Sequence, residues 1–173
     1  MRAFNILLLF LFLVSCNTPQ AVYDYDQEVN FSNYSTYALF PDFRSGLSQL
    51  DEKRLLASLE NQLQQKGFSA SSKADMYVNV YTDEFREQNR NSVGIGVGGS
   101  GRNVGVGVSG GIPLGGPETY LQITFDFIDV KDDALIWQAV VESKFNPDAS
   151  PKERQTQFQK IVQKALEAYP PKK

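Results

Sequence analysis

The sequence contains no histidine, one cysteine, one tryptophan and two methionines. Histidine is the side chain whose ordinary pKa lies nearest neutrality, and it is the commonest metal ligand. Its absence excludes a Ser-His-Asp triad and any histidine-based zinc centre. A single cysteine cannot close a disulfide within the chain, so the fold is not a disulfide scaffold. Charge of either sign is also scarce in excess: 17 basic and 20 acidic residues leave a formal charge of −3. That balance lacks the clustered basic face that nucleic acid requires. No apolar run reaches the ~20 residues of a membrane-spanning helix. Carboxylates, lysine, tyrosine and serine remain for chemistry, and no cofactor or resident metal is expected. Aromatic residues are plentiful, with 12 Phe and 8 Tyr to fill a core.

The longest apolar run, Ile6 to Val14, follows one basic residue, Arg2, and ends in Leu13-Val14-Ser15-Cys16. A basic start, a short apolar segment and small residues at a cleavage site make a secretory signal. Leu-Val-Ser-Cys resembles the lipobox of bacterial lipoproteins. The resemblance implies cleavage before Cys16 and acylation of that cysteine, in thioether and amide linkage. It would account for a lone thiol in an exported chain. Residues 1–15 are then the signal peptide, 16–20 the lipidated N-terminus with a short linker, and 21–173 a single α+β domain. About 158 residues remain, a usual size for one domain. Asn17 stands where an aspartate would retain such a protein at the inner membrane. By that resemblance the expected location is the outer membrane, with the domain facing the periplasm and membrane contact through the anchor at Cys16.

Alternation and punctuation predict the elements. Ala21 to Asp26 reads as a strand with Tyr23 and Tyr25 on one face and Asp24 and Asp26 on the other. Thr36 to Phe40 reads as a second, after an aromatic turn at 31–35. Ser48 is the N-cap of a helix with Asp51 at its third position. Leu55, Leu56, Leu59 and Leu63 share one face of it, and Gly67 stops it. Met76, Val78 and Val80 form one face of the next strand. Glu118–Val130 and Ala134–Phe145 make a hairpin around Lys131-Asp132-Asp133. Leu121, Ile123, Phe125 and Phe127 line one face, as do Leu135, Trp137, Ala139 and Val141. Ser150-Pro151-Lys152-Glu153 is a capping box that opens a last helix. Its expected buried stripe is Phe158, Ile161, Val162, Ala165, Leu166 and Tyr169. The expected fold is a mostly antiparallel sheet with both helices on one face.

Residues 92–116 are glycine-rich, and within them 93–98 and 104–108 alternate valine or isoleucine with glycine. Period two places Val93, Ile95 and Val97 on one face, and Val104, Val106 and Val108 likewise, around a turn at 99–103. A hairpin with one branched and one bare face follows. Gly94, Gly96 and Gly99 also satisfy G-x-G-x-x-G, but no helix pattern follows to receive a pyrophosphate and no G-K-[ST] occurs. Nucleotide binding is not expected. Such a hairpin can cap the core, offer an edge to a partner strand, or dip its branched face into lipid. Val97 and Val106 are the positions for a partner or lipid contact.

Other constellations are weaker. Asp24 and Asp26 form a same-face pair that could serve acid–base chemistry or hold a hard cation. Asp126 and Asp129, three apart, should point to opposite sides of their strand. Trp137 reads as a core anchor, and Lys152, Lys160 and Lys164 as a solvated helix face.

Val22 to Asp26, Phe31 to Ala38, Leu135-Ile136-Trp137 and the ending Tyr169-Pro170-Pro171, behind a lipobox, resemble a family of bacterial lipoproteins, the domain of unknown function numbered 4136. That resemblance supports location and fold and supplies no catalytic residue. The chain is therefore expected to be non-enzymatic, a binding or structural protein of the envelope with an envelope protein as partner. The alternative is a module for a lipid or other apolar ligand held between sheet and helices. A third reading, a carboxylate-based cell-wall hydrolase, requires two carboxyl groups facing each other across a cleft.

Overall fold

The computed structural model of the chain describes residues 18–87, 92–94, 111–113 and 117–171. In chain order the elements are β1 (Gln20–Tyr25), a 3-10 turn (Phe31–Asn33), β2 (Thr36–Leu39), α1 (Gln49–Gln65), β3 (Ser69–Ala70), β4 (Met76–Glu87), β5 (Ser92–Gly94), β6 (Gly111–Pro113), β7 (Glu118–Asp129), β8 (Leu135–Phe145) and α2 (Pro151–Ala165). One sheet has the order β1-β8-β7-β4-β2-β3, and β5 pairs with β6 separately.

The sheet is mixed, which corrects the expectation of a mostly antiparallel one. β1–β8, β8–β7 and β7–β4 are antiparallel, whereas β2 runs parallel to both β4 and β3. The cause is α1. A parallel pair needs a long crossover connection, usually a helix, and α1 lies between β2 and the strands that flank it. β3 has two residues, too few to show a period.

Both helices start where their caps say. The Ser48 hydroxyl accepts from the Asp51 backbone N–H, and Ser150 with Glu153 completes a capping box around Pro151 at the first turn. Gly67, at φ 89°, turns the chain out of α1 in the left-handed region. Leu55, Leu59 and Leu63 of α1 and Phe158, Ile161, Val162, Ala165, Leu166 and Tyr169 near α2 are buried. They form one cluster with Met76, Val78 and Val80 of β4, Leu121 to Phe127 of β7 at alternate positions, and Trp137, Ala139 and Val141 of β8. Each of the larger of these side chains, Val, Leu, Ile, Phe and Met, contributes about 1.5–3 kcal/mol through removal from water.

Leu135 breaks the expected pattern: it is 51 % exposed, while Ile136 is 2 % exposed. The register shifts at this point, with Phe127 opposite Trp137 but Ile128 opposite Leu135. Ile136 is the extra residue of a bulge, and an extra residue resets the two-residue alternation.

Tyr169 closes the interior beyond α2. Its ring lies 4.5 Å from Phe127, 5.0 Å from Trp137, 5.5 Å from Phe68 and 5.9 Å from Phe31, centroid to centroid. At this end of the sheet Asp75 staples β2 to β4. One of its oxygens accepts from the backbone N–H and hydroxyl of Ser35 (3.0 and 3.2 Å) and of Thr36 (2.9 and 2.8 Å). Those donors hold the carboxyl at a pKa of about 2.

Candidate functional site

The chain joins the body of the protein at Thr18–Pro19. Pro19 is buried, and Gln20 opens β1 opposite Glu142 of β8. A groove of about 910 Å³ lies on one side of this stem, between the end of the sheet and α2, with Glu118, Tyr120, Lys144, Lys152 and Lys160 among its walls. A second, of about 490 Å³, lies on the other side, toward Lys66, Lys160, Lys164 and Glu167. Lys160 borders both.

Across the first groove, Lys144 Nζ meets Glu118 Oε1 at 2.5 Å, and the Tyr120 hydroxyl donates to Glu118 Oε2 at 3.1 Å. The lysine, then the tyrosine, lowers the Glu118 pKa. Hydrogen bonding to that carboxylate raises the pKa of Tyr120. The Tyr120 ring stacks on Phe85 at 5.7 Å with 15° between planes. Phe85 and Tyr120 are register partners near the last rung of β4–β7, Glu87 opposite Glu118.

From that rung the glycine-rich stretch departs. Its flanks pair antiparallel, Ser92 with Pro113 and Gly94 with Gly111, as a hairpin requires. The paired part of the returning flank follows Val104–Val108 instead of coinciding with it. Cys16, Val97 and Val106 lie outside the described residues.

The acidic candidates have structural occupations. Asp24 is exposed on the outer side of the sheet and accepts from the Tyr25 N–H, and Asp26 accepts from the Glu28 N–H. Asp126 and Asp129 point to opposite sides, as expected. Burial raises the Asp126 pKa against the Gln138 amide that donates to it at 2.7 Å. Asp129 accepts from the Tyr34 hydroxyl at 2.6 Å and from two backbone N–H groups of its own turn. The Tyr34 bond is the main cause of its lowered pKa. Among the described residues no group of three or more acidic or cysteine side chains could hold a metal ion.

The space between sheet and helices, where the alternative reading places an apolar ligand, holds a cluster of buried side chains. Trp137 is fully buried there, 4.8 Å from Phe127. At the edge of this layer an apolar groove of about 530 Å³ lies between β2–β3 and α1, lined by Tyr37, Leu39, Leu56, Leu59 and Ala70.

One cluster had no sequence signal. Asp51, 5 % exposed at its side chain, takes Arg54 at 2.7 Å and Arg154 at 2.6 Å. Arg154 also donates to the Pro147 carbonyl and lies 4.9 Å over the Phe145 ring. Asp51 and Arg154 are 103 positions apart, so only the packing of α1 against α2 reveals the pair.

The model of the family Domain of unknown function (DUF4136) matches residues 21–171. The chain belongs to the DUF4136 family. Among solved structures, this DUF4136 chain is similar to a PDZ domain protein from Parabacteroides distasonis, with 15 % identity and a TM-score of 0.51. The likeness covers 95 % of this chain and 39 % of that one, so the chain spans well under half of that protein. It is also similar to the PelC dodecamer from Paraburkholderia phytofirmans, with 12 % identity, a TM-score of 0.49, and coverage of 86 % of this chain and 95 % of that one. At these identities the likeness concerns the fold alone. No curated protein matches the chain.

Proposed function

We propose that this DUF4136 protein is a non-enzymatic lipoprotein of the cell envelope, anchored through Cys16 at the outer membrane, whose domain engages an envelope partner in the periplasm. The observation that carries the reading is a shared exit. The stem at Thr18–Pro19 and the rung from which the glycine-rich stretch departs border the same groove, where Gln20, Glu118 and Tyr120 meet. Whatever holds the stem at a membrane therefore holds the root of Val97 and Val106 beside it. The occupations of Asp24, Asp26, Asp126 and Asp129 in turns and sheet further support a role without acid–base catalysis.

In-cell photo-crosslinking with a probe at Val97 or Val106 tests this, with Lys131 at the far end of the sheet as control. A discrete protein adduct from the valine positions only is the expected result. Equal adducts at Lys131, or none at either valine, would contradict it. The second reading, an apolar-ligand module, rests on the groove between β2 and α1 at Tyr37, Leu39 and Leu56, whose size suits a small ligand. A co-purifying lipid displaced by Leu39→Asp would favour it.

A further inference from the structure

The polar side of α2 is rich in lysine and glutamine. Between Arg154 and Leu166 the helix carries no acidic residue. Its exposed positions there are Thr156, Gln159, Lys160 and Gln163, with Lys152 one turn earlier. Glu153 is engaged by Ser150 in the capping box, and Glu167 pairs with Lys164 at 2.6 Å. Lys152 and Lys160 meet no carboxylate among the described residues. This face stands beside the stem, since Thr18 and Pro19 share grooves with Lys152, Lys160 and Lys164.

Distance supplies the second half of the argument. Pro19 is buried against the body, and three Cα–Cα steps, through Asn17 and Thr18, separate it from Cys16. Fully extended, they reach at most about 11 Å. A bilayer holding Cys16 therefore lies within about 11 Å of Pro19, not far beyond the Debye length of ~8 Å at physiological salt. Pro19 in turn shares its grooves with the α2 lysines. We propose that the exposed side of α2, from Lys152 to Gln163, lies against the phosphates of anionic lipid headgroups and orients the domain on the membrane. The proposal rests on the anchor at Cys16. Lysines near such a surface gain attraction individually.

The test uses the full chain extracted from membranes and reconstituted in two kinds of vesicle: phosphatidylcholine alone, and phosphatidylcholine with a third phosphatidylglycerol. Lysines are acetylated briefly and read by mass spectrometry. Lys152 and Lys160 should react about threefold or more slowly on the anionic vesicles, and high salt should remove the difference. Lys73 and Lys131, at the opposite end of the sheet, should not change. The exposed substitution Lys160→Glu should also weaken the protection of Lys152. A chain that survives an alkaline carbonate wash on both vesicles yet shows equal rates at all four lysines would overturn the orientation while leaving the anchor standing. A chain that washes off both would overturn the anchor, and this proposal with it.

Discussion

α1 and α2 are alike on the side that is hidden and different on the side that is seen. Each opens at a serine N-cap and buries an apolar stripe against the same sheet. Outwardly, α1 mixes charges, with Lys53, Glu60 and Lys66 exposed, whereas α2 shows lysine, glutamine and threonine for three turns. The hidden halves answer to one core and are interchangeable in kind. The visible halves answer to what surrounds the protein: α2 borders both grooves at the stem, whereas α1 reaches only the second, through Gln62.

If that division is right, truncating either hidden half should cost the fold heavily. Phe158→Ala in α2 should destabilise by about 3–5 kcal/mol and Leu59→Ala in α1 by about 2–5 kcal/mol, read from urea unfolding. A small effect at either site would break the symmetry. Next in size is the ion pair that joins the helices, Asp51 with Arg154. Asp51→Asn leaves Arg54 and Arg154 without their common carboxylate and should cost about 3 kcal/mol, the lower end of the range for breaking a buried pair. Tolerance of that change would mean that the helices are joined by apolar contact alone.

The smallest effect lies in neither helix and sharpens the contrast by locating the acid sensitivity. The Asp75 pKa falls from 3.8 to about 2 on folding because four donors favour the carboxylate. Its stabilisation is complete above about pH 4 and is lost as pH drops through 2. The site is open to solvent, so about 1 kcal/mol is expected after screening. Asp75→Asn should accordingly flatten the pH dependence of stability between pH 4 and 2. An unchanged slope would place the acid sensitivity elsewhere.

The hidden halves were legible in the sequence because they are local. Leu55, Leu59 and Leu63 repeat at helical spacing, and the Ser150–Glu153 box names its own helix. The alternation in β4 and β7 likewise tells the inner from the outer face. What could not be read depends on residues distant in the chain. The bulge at Ile136 arises from pairing with β7, so it reversed the expected orientation of Leu135. The parallel pairing of β2 needed the position of α1 in the chain order to be weighed above the strand count. Asp51 looked like a helix-dipole residue, and its partner Arg154 became visible only with the two helices packed. The exit shared by the stem and the glycine-rich stretch is a consequence of β1 lying beside β8 and β7 beside β4, which no short motif encodes.

Everything proposed about the stem depends on Cys16. The direct measurement is the intact mass of the protein extracted from membranes, with a Cys16→Ser chain alongside. The account predicts loss of residues 1–15 and a mass increase of several acyl chains on the remaining protein, absent in Cys16→Ser. An unacylated chain, or one that keeps its first 15 residues, would contradict it.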